Sequence, residues 1–181
     1  MKKKVKNKFP LDHLSASSVR LLESSEKLWI AKYIYGEDGY TNEHMKFGRE
    51  TADFFDDDIL IECILKRGKD KLKVIGLLDN QKGDTQYENK TGLKAWTQAQ
   101  ADSSFQLKTY AMIHYVNHGK LPKQVLTWRG TKMVDGKLEL TGESKVFHVK
   151  PTVLSVLSTQ AKYWKAYDKI IKLTEKEYAK I

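Results

Sequence analysis

Asp79, Glu88 and Lys90 are the residues of this chain whose types and spacing could do chemistry. Asp79 closes the apolar run Val74–Leu78, the seven residues Asn80 to Gln86 come next, and Glu88-Asn89-Lys90-Thr91-Gly92 follows Tyr87. Those seven include Gly83-Asp84, a turn signal, so the segment reads as a β-hairpin that brings Asp79 near Glu88. Side chains alternate along a strand, which puts Glu88 and Lys90 on one face and Asn89 on the other. Two carboxylates about 4 Å apart repel by roughly 4 kcal/mol at an effective dielectric of about 20. A divalent cation relieves that repulsion and leaves the lysine to face a substrate anion, which is a hydrolytic metal site in outline.

An acid-x-lysine triplet is weak evidence alone in a chain with 23 acids and 32 lysines and arginines. Asp135-Gly136-Lys137 and Glu143-Ser144-Lys145 repeat the pattern, but no apolar strand ending in aspartate precedes either. Context selects Glu88 and Lys90, and it extends downstream. Gln106 and Tyr110 open an apolar helical run, four apart on one helix face.

The order Gly76-x-x-Asp79, Glu88-x-Lys90-Thr91-Gly92, Gln106-x-x-x-Tyr110 resembles the PD-(D/E)XK nuclease superfamily, and within it the RecB-like exonuclease branch with its small phage-type members. Leu14–Val19 leading to Trp29 and Tyr33 is similar to that branch's first helix, and Phe47-Gly48-Arg49-Glu50 to the start of its second. The resemblance covers residues 11 to 130. It implies a restriction-endonuclease-like α/β core, a central mixed β-sheet flanked by helices. Asp79, Glu88 and the Asn89 carbonyl would then hold Mg²⁺ or Mn²⁺, hard cations that prefer oxygen ligands. Lys90 would orient or help deprotonate the attacking water and stabilise charge on the scissile phosphate. Gln106 and Tyr110 are implied as phosphate- or base-positioning groups. The chain departs from the family where relatives often carry a metal-ligating histidine four residues after the helix glycine: Ala52 stands there, and Glu50 is the substitute carboxylate, with Asp53 nearby.

A net charge of +9 and a pI near 9.4 favour a polyanionic partner such as DNA, although lysine-rich surfaces also serve solubility. A length of 181 residues, with 40% hydrophobic and 30% charged residues, suits one globular domain. The single cysteine, Cys63, excludes an intramolecular disulfide and the four-cysteine iron–sulfur cluster of some relatives; its apolar neighbours predict a buried thiol. Lysines crowd residues 1 to 10 without an apolar stretch after them, so this segment reads as a flexible basic arm rather than a signal peptide or membrane anchor. The expected location is the cytoplasm, the host's if the chain is phage-encoded.

The elements that must position these residues follow from periodicity. A helix capped by Ser15 or Ser17 carries Val19, Leu22, Trp29, Ile30 and Tyr33 inward; Gly36 to Asn42 is a loop and Glu43 to Phe55 a second helix. Strands are expected at Ile59–Lys66, Leu72–Leu78 and Gln86–Thr91, a helix over Ala99–His118 stopped by Gly119, and a strand at Gln124–Trp128. A short appended hairpin spans Val134 to Val149, and a last helix from Pro151 to Tyr178 puts Leu157, Ala161, Trp164 and Ile171 on its apolar face. Residues 11–181 form one domain.

Four other features compete for a role. Asp56-Asp57-Asp58 could ligate a metal but suits a solvated helix-to-strand junction. His114 and His118 have zinc-compatible spacing without a legible third ligand, and a half-exposed pair is the plainer reading. Lys162, Lys165 and Lys169, continued by Lys172 and Lys176, form either a DNA-backbone track or a solvated flank of the last helix. Trp96 could stack on a base or pack in the core. Together these observations point to a metal-dependent DNA nuclease, a phage-type exonuclease or a recombination or repair nuclease, with a recombination or replication protein as a further partner and no membrane. A catalytically silent nucleic-acid-binding module and a junction-resolvase-like endonuclease remain alternatives. Exo- or endo-cleavage, polarity, strand preference and oligomeric state are not written in the sequence.

Overall fold

The computed structural model describes residues 10–37, Phe47 and residues 59–179. The expected second helix, the ligand candidate Glu50 with Ala52 and Asp53, the Asp56–Asp58 run, His44 and the first nine residues of the basic arm lie outside the described residues. The chain is mixed α/β. Strand β1 (Leu14–Ser15) leads into helices α1 (Ala16–Ser24) and α2 (Glu26–Tyr33). Strands β2 (Ile59–Arg67), β3 (Asp70–Leu78), β4 (Asn80–Lys82) and β5 (Thr85–Gly92) follow. Helices α3 (Gln98–Ser103) and α4 (Phe105–His118) cross to β6 (Lys123–Val134), which turns into β7 (Lys137–Val149), and α5 (Val153–Tyr178) ends the described chain. Among the described residues no helix is long and apolar enough to cross a membrane.

The strands pair in two sections rather than in one continuous ladder. One sheet has the order β1-β3-β2, with β1 parallel to β3 and β2 antiparallel to it. The other has the order β4-β5-β6-β7, in which only the β5–β6 pair, joined through α3 and α4, is parallel. The chain passes from the first sheet to the second at Asp79. Each sheet has its own core. Leu14, Val19, Leu22, Trp29, Cys63, Val74, Tyr163 and Ile170 pack on the first. Leu78, Leu107, Tyr110, Leu126, Trp128 and Phe147 pack on the second. Cys63 is buried as expected, and burial pushes its thiol up to about 12.

Several element boundaries differ from the periodic reading, each for a local reason. The first helix breaks at Ser25, whose extended backbone (φ −159°, ψ 105°) ends α1 while its hydroxyl accepts from Leu28 N to start α2. The helix expected over Ala99–His118 likewise breaks at Ser104, which caps α4 by accepting from Leu107 N. The appended hairpin is continuous with the strand before it: β6 and β7 form one long antiparallel pair with a bulge between Arg129 and Thr131. On α5 the buried face is Val156, Thr159, Tyr163, Ala166, Tyr167 and Ile170, whereas Leu157 is 53% exposed and Ala161 is exposed as well. Both sets satisfy three-four spacing. Partners on α4 decide between them, because Tyr163 stacks on Phe105 and its hydroxyl lies 3.1 Å from Thr109 Oγ1.

Candidate active site

Asp79 and Glu88 face each other where the two sheets meet. Asn80 pairs with Tyr87 across the β4–β5 hairpin, and one more step of that register sets Asp79 opposite Glu88. The ladder also shortens the expected seven-residue turn, since β4 occupies Asn80–Lys82 and leaves Gly83-Asp84 to reverse the chain. Asn89 N donates to Asp79 Oδ2, which joins the end of β3 to β5 through a side chain. Lys90 Nζ donates to Glu88 Oε1 from the same strand face.

Glu88 is the unusual group. Only 2% of it is exposed, and Oε2 is buried without a hydrogen-bond partner. Burial lifts its carboxyl to about 7 against the pull of Lys90, and the Asp79 charge adds to the rise. The Tyr110 hydroxyl is near enough to bias the titration of Glu88, but it donates to the Leu77 carbonyl and not to the orphan oxygen. Tyr110 is itself buried, and burial followed by the Glu88 charge pushes its phenol up.

Gln106 and Tyr110 come together as their spacing predicts, with Gln106 Nε2 donating to the Tyr110 hydroxyl. Gly76 explains why this helix can approach β3 so closely. A Cβ built there would lie 2.6 Å from Tyr110 Cε1, so the ring occupies the space a side chain would need. A groove of about 320 Å³ opens on the same side, lined by Ser15, Ser17, Arg20, Gly76, Gln106 and Tyr110. It joins the capped start of α1 to the Gln106–Tyr110 pair.

The remaining candidates separate. Trp96 is partly buried and packs against the core of the second sheet. Lys162 and Lys169 form ion pairs with Glu23 (2.9 Å) and Glu26 (2.6 Å), and Lys162 also sits over the Phe105 ring, so both hold α5 against α1 and α2. Lys165, between them, is exposed. His114 is not half-exposed: it is 4% exposed, packed beside His118 with ring centroids 4.5 Å apart. No group of three histidine, cysteine or acidic side chains able to hold a metal occurs among the described residues.

Two residues that sequence reasoning passed over support the site from behind. Gln86 and Gln124, each 1% exposed, pair across β5 and β6, with Gln124 Nε2 donating to Gln86 Oε1 at 2.9 Å and to the Leu107 carbonyl at 2.8 Å. Polar residues at strand positions that alternate inward were the available signal, since Gln86 and Glu88 share a face.

No family model matches the chain, and no curated protein matches it. Among solved structures, a protein from Eubacterium rectale described as a "Putative exonuclease" superposes with a TM-score of 0.60 at 10% sequence identity, covering 98% of this chain and 88% of its own. A second structure, SSO0001, aligns with a TM-score of 0.45 at 11% identity over 94% of this chain and 79% of its own, too loosely to bear on the fold. The first likeness shows the architecture alone: an α/β fold of mixed sheets flanked by helices, closed by a long C-terminal helix.

Proposed function

We propose that the chain is a metal-dependent DNA nuclease of the PD-(D/E)XK superfamily, RecB-like branch, hydrolysing phosphodiester bonds at Asp79, Glu88 and Lys90. One observation carries the reading: Glu88 is buried opposite Asp79 with an oxygen that no group among the described residues satisfies. A buried acceptor without a partner is costly, and a divalent cation held by Glu88 Oε2, Asp79 and the Asn89 carbonyl would satisfy it. The donor set fits Mg²⁺ or Mn²⁺, both of which take carboxylate and carbonyl oxygens. When bound, such an ion supplies Lewis-acid polarisation of the phosphoryl group.

The protein's own groups do the rest. Lys90 Nζ, now on Glu88 Oε1, turns to the attacking water and to the charge growing on the non-bridging oxygens. The water oxygen bonds to phosphorus as it gives up a proton to solvent, one P–O ester bond breaks, and the departing alkoxide takes a proton from solvent to leave as the alcohol. Gln106, whose Nε2 donates to the Tyr110 hydroxyl, lines the groove, which offers Arg20 and the Ser15 and Ser17 hydroxyls to further phosphates. A phage-type exonuclease or a recombination or repair nuclease fits this groove, with Glu50 the proposed further ligand.

A second reading, a catalytically silent DNA-binding module on the same fold, draws on the Lys90–Glu88 pair, because the lysine already compensates one of the two acids. End-labelled DNA incubated with and without Mg²⁺ or Mn²⁺ separates the two. Wild type cleaves only with metal, and Lys90→Ala abolishes cleavage while DNA affinity stays within about threefold, one phosphate contact among many. Metal-independent degradation, or parallel loss of binding and cleavage in Lys90→Ala, defeats the catalytic assignment.

A further inference from the structure

Helix α4 belongs to both cores. Leu107 and Tyr110 pack with the second sheet, Met112 and Ile113 with the first. This matters at the site because β3 and β5 are not paired by a backbone ladder; they are joined through the three-residue strand β4. Asp79 follows the end of β3 and Glu88 lies in β5. The β4–β5 register and the Asn89 N–Asp79 bond bring the two acids together at that junction, and how they face each other depends further on what holds β3 against β5 from outside the ladder.

Helix α4 does so through polar contacts on three strands. On β3, the Tyr110 ring covers Gly76 and its hydroxyl donates to Leu77 O. On β5, Gln86 Nε2 reaches the Tyr110 main-chain carbonyl at 3.4 Å. On β6, Gln124 Nε2 reaches the Leu107 carbonyl and also binds Gln86 Oε1. Those carbonyls lie within the helix, so the amides use their second lone pairs. We infer that the buried Gln86–Gln124 amide pair is a positioning device: it fixes α4 to β5 and β6, and through Tyr110 on β3 it sets how Asp79 and Glu88 oppose each other.

A purely stabilising role accounts for the pair poorly. Gln124 Oε1 is buried without a partner, and the Gln86 bond to Tyr110 O is long. Replacing two mutually bonded buried polar groups by apolar ones of similar shape is often neutral or favourable, so leucines would serve stability at least as well. What leucines cannot do is aim at two helix carbonyls three residues apart. Directional bonds fix the helix along its axis and in rotation, whereas apolar packing tolerates a sliding helix. The rotation is what places Tyr110 over Gly76 and Gln106 over the groove.

The catalytic consequence rests on the nuclease reading, but the clamp itself does not, and the test keeps the two apart. In the Gln86→Leu/Gln124→Leu double variant, the melting temperature stays within about 3 °C of wild type. Amide hydrogen exchange within α4 accelerates by about tenfold while α5 and β6 keep their protection. With DNA, kcat falls by up to about a hundred-fold and KM is unchanged, as expected for misplaced groups rather than lost binding. Should the leucine pair fail to fold, Gln86→Met/Gln124→Met keeps the length of both side chains and carries the same measurements. Unchanged exchange in α4, or a uniform loosening of every element with a lowered melting temperature, overturns the clamp. A loosened α4 with unchanged kcat overturns its link to the site. If wild type cleaves no DNA, the nuclease reading fails and exchange alone decides the clamp.

Discussion

The β4–β5 hairpin and helix α4 run past each other and carry a cluster of ionisable groups at each end, built in opposite ways. At the site end, Glu88 is buried, keeps an unpartnered oxygen and has its carboxyl lifted to about 7. At the turn end, Asp84 is exposed, and its bond from Lys120 at 2.7 Å holds its carboxyl below the usual range. His114 there is buried and faces Asp84 at 3.8 Å, and its Nε2 too has no hydrogen-bond partner among the described residues; its charge is disfavoured by burial and by His118, so the orphan atom at that end belongs to a group held neutral. Each end has a lysine on a carboxylate; the difference is that Glu88 is desolvated and Asp84 is not, and a desolvated acid is the condition under which a bound cation gains most.

Metal binding should separate the ends most sharply. Calorimetric titration of wild type with Mn²⁺ is expected to show one oxygen-ligated ion, lost in Asp79→Ala and retained in Asp84→Ala. Equal binding by wild type and Asp79→Ala would place the ion away from the Asp79–Glu88 pair.

The two ends should also respond to pH with opposite signs. Glu88 has a raised folded-state value, so its contribution is full below about 4.5 and is lost as pH rises through about 7. The loss is on the order of 3 kcal/mol at most. Glu88→Gln should remove this slope and be more stable than wild type at pH 8 but not at pH 4.5. His114 has a lowered value, so its contribution is present above about 6.5 and declines as pH falls below that. His114→Gln should flatten the acid limb alone. Urea unfolding across pH 4.5 to 8.5 reads both, and a Glu88→Gln variant that keeps the wild-type alkaline slope would show that the burial of Glu88 is compensated in solution.

Much of the site end could be read from the residues, because a hairpin and a helix place side chains by fixed periods. Asp79, Glu88, Lys90, Gln106 and Tyr110 meet because strand alternation and the four-residue helix repeat leave little choice. Tertiary decisions were not legible. Nothing local says that the sheets separate at Asp79, or that Ser25 and Ser104 would cap new helices instead of riding inside longer ones. On α5 two apolar stripes alternate: Leu157 and Ala161 are exposed, Trp164 and Ile171 pack at the edge of the core, and Phe105 and Thr109 on another element choose Tyr163 for its centre. Gln86 and Gln124 were missed for a related reason, since a glutamine in a strand looks solvated until its partner across the sheet is known.

A glycine stands at each end, and the two are constrained by packing and by backbone conformation instead of charge. Gly76 is constrained by its neighbours: an added Cβ would lie 2.6 Å and 2.8 Å from two Tyr110 ring atoms, and that ring is held by Leu77 O and Gln106. Gly83 is constrained by its own backbone: its φ is +58° and nothing lies within 4 Å of where a Cβ would stand. Gly76→Ala should therefore destabilise by about 1–3 kcal/mol through overpacking. Gly83→Ala should cost about 1 kcal/mol through left-handed strain, most of it recovered in Gly83→Asn because asparagine tolerates that conformation. The two mechanisms differ in what rescues them. In a Tyr110→Leu background Gly76→Ala should cost less than in wild type, since the colliding ring is gone, whereas Gly83→Ala should cost the same in both. Urea unfolding of the four variants and their combinations measures the coupling. Additive behaviour of Gly76→Ala and Tyr110→Leu would mean that the ring yields to a methyl group, and Gly76 would then be no more a part of the site than Gly83.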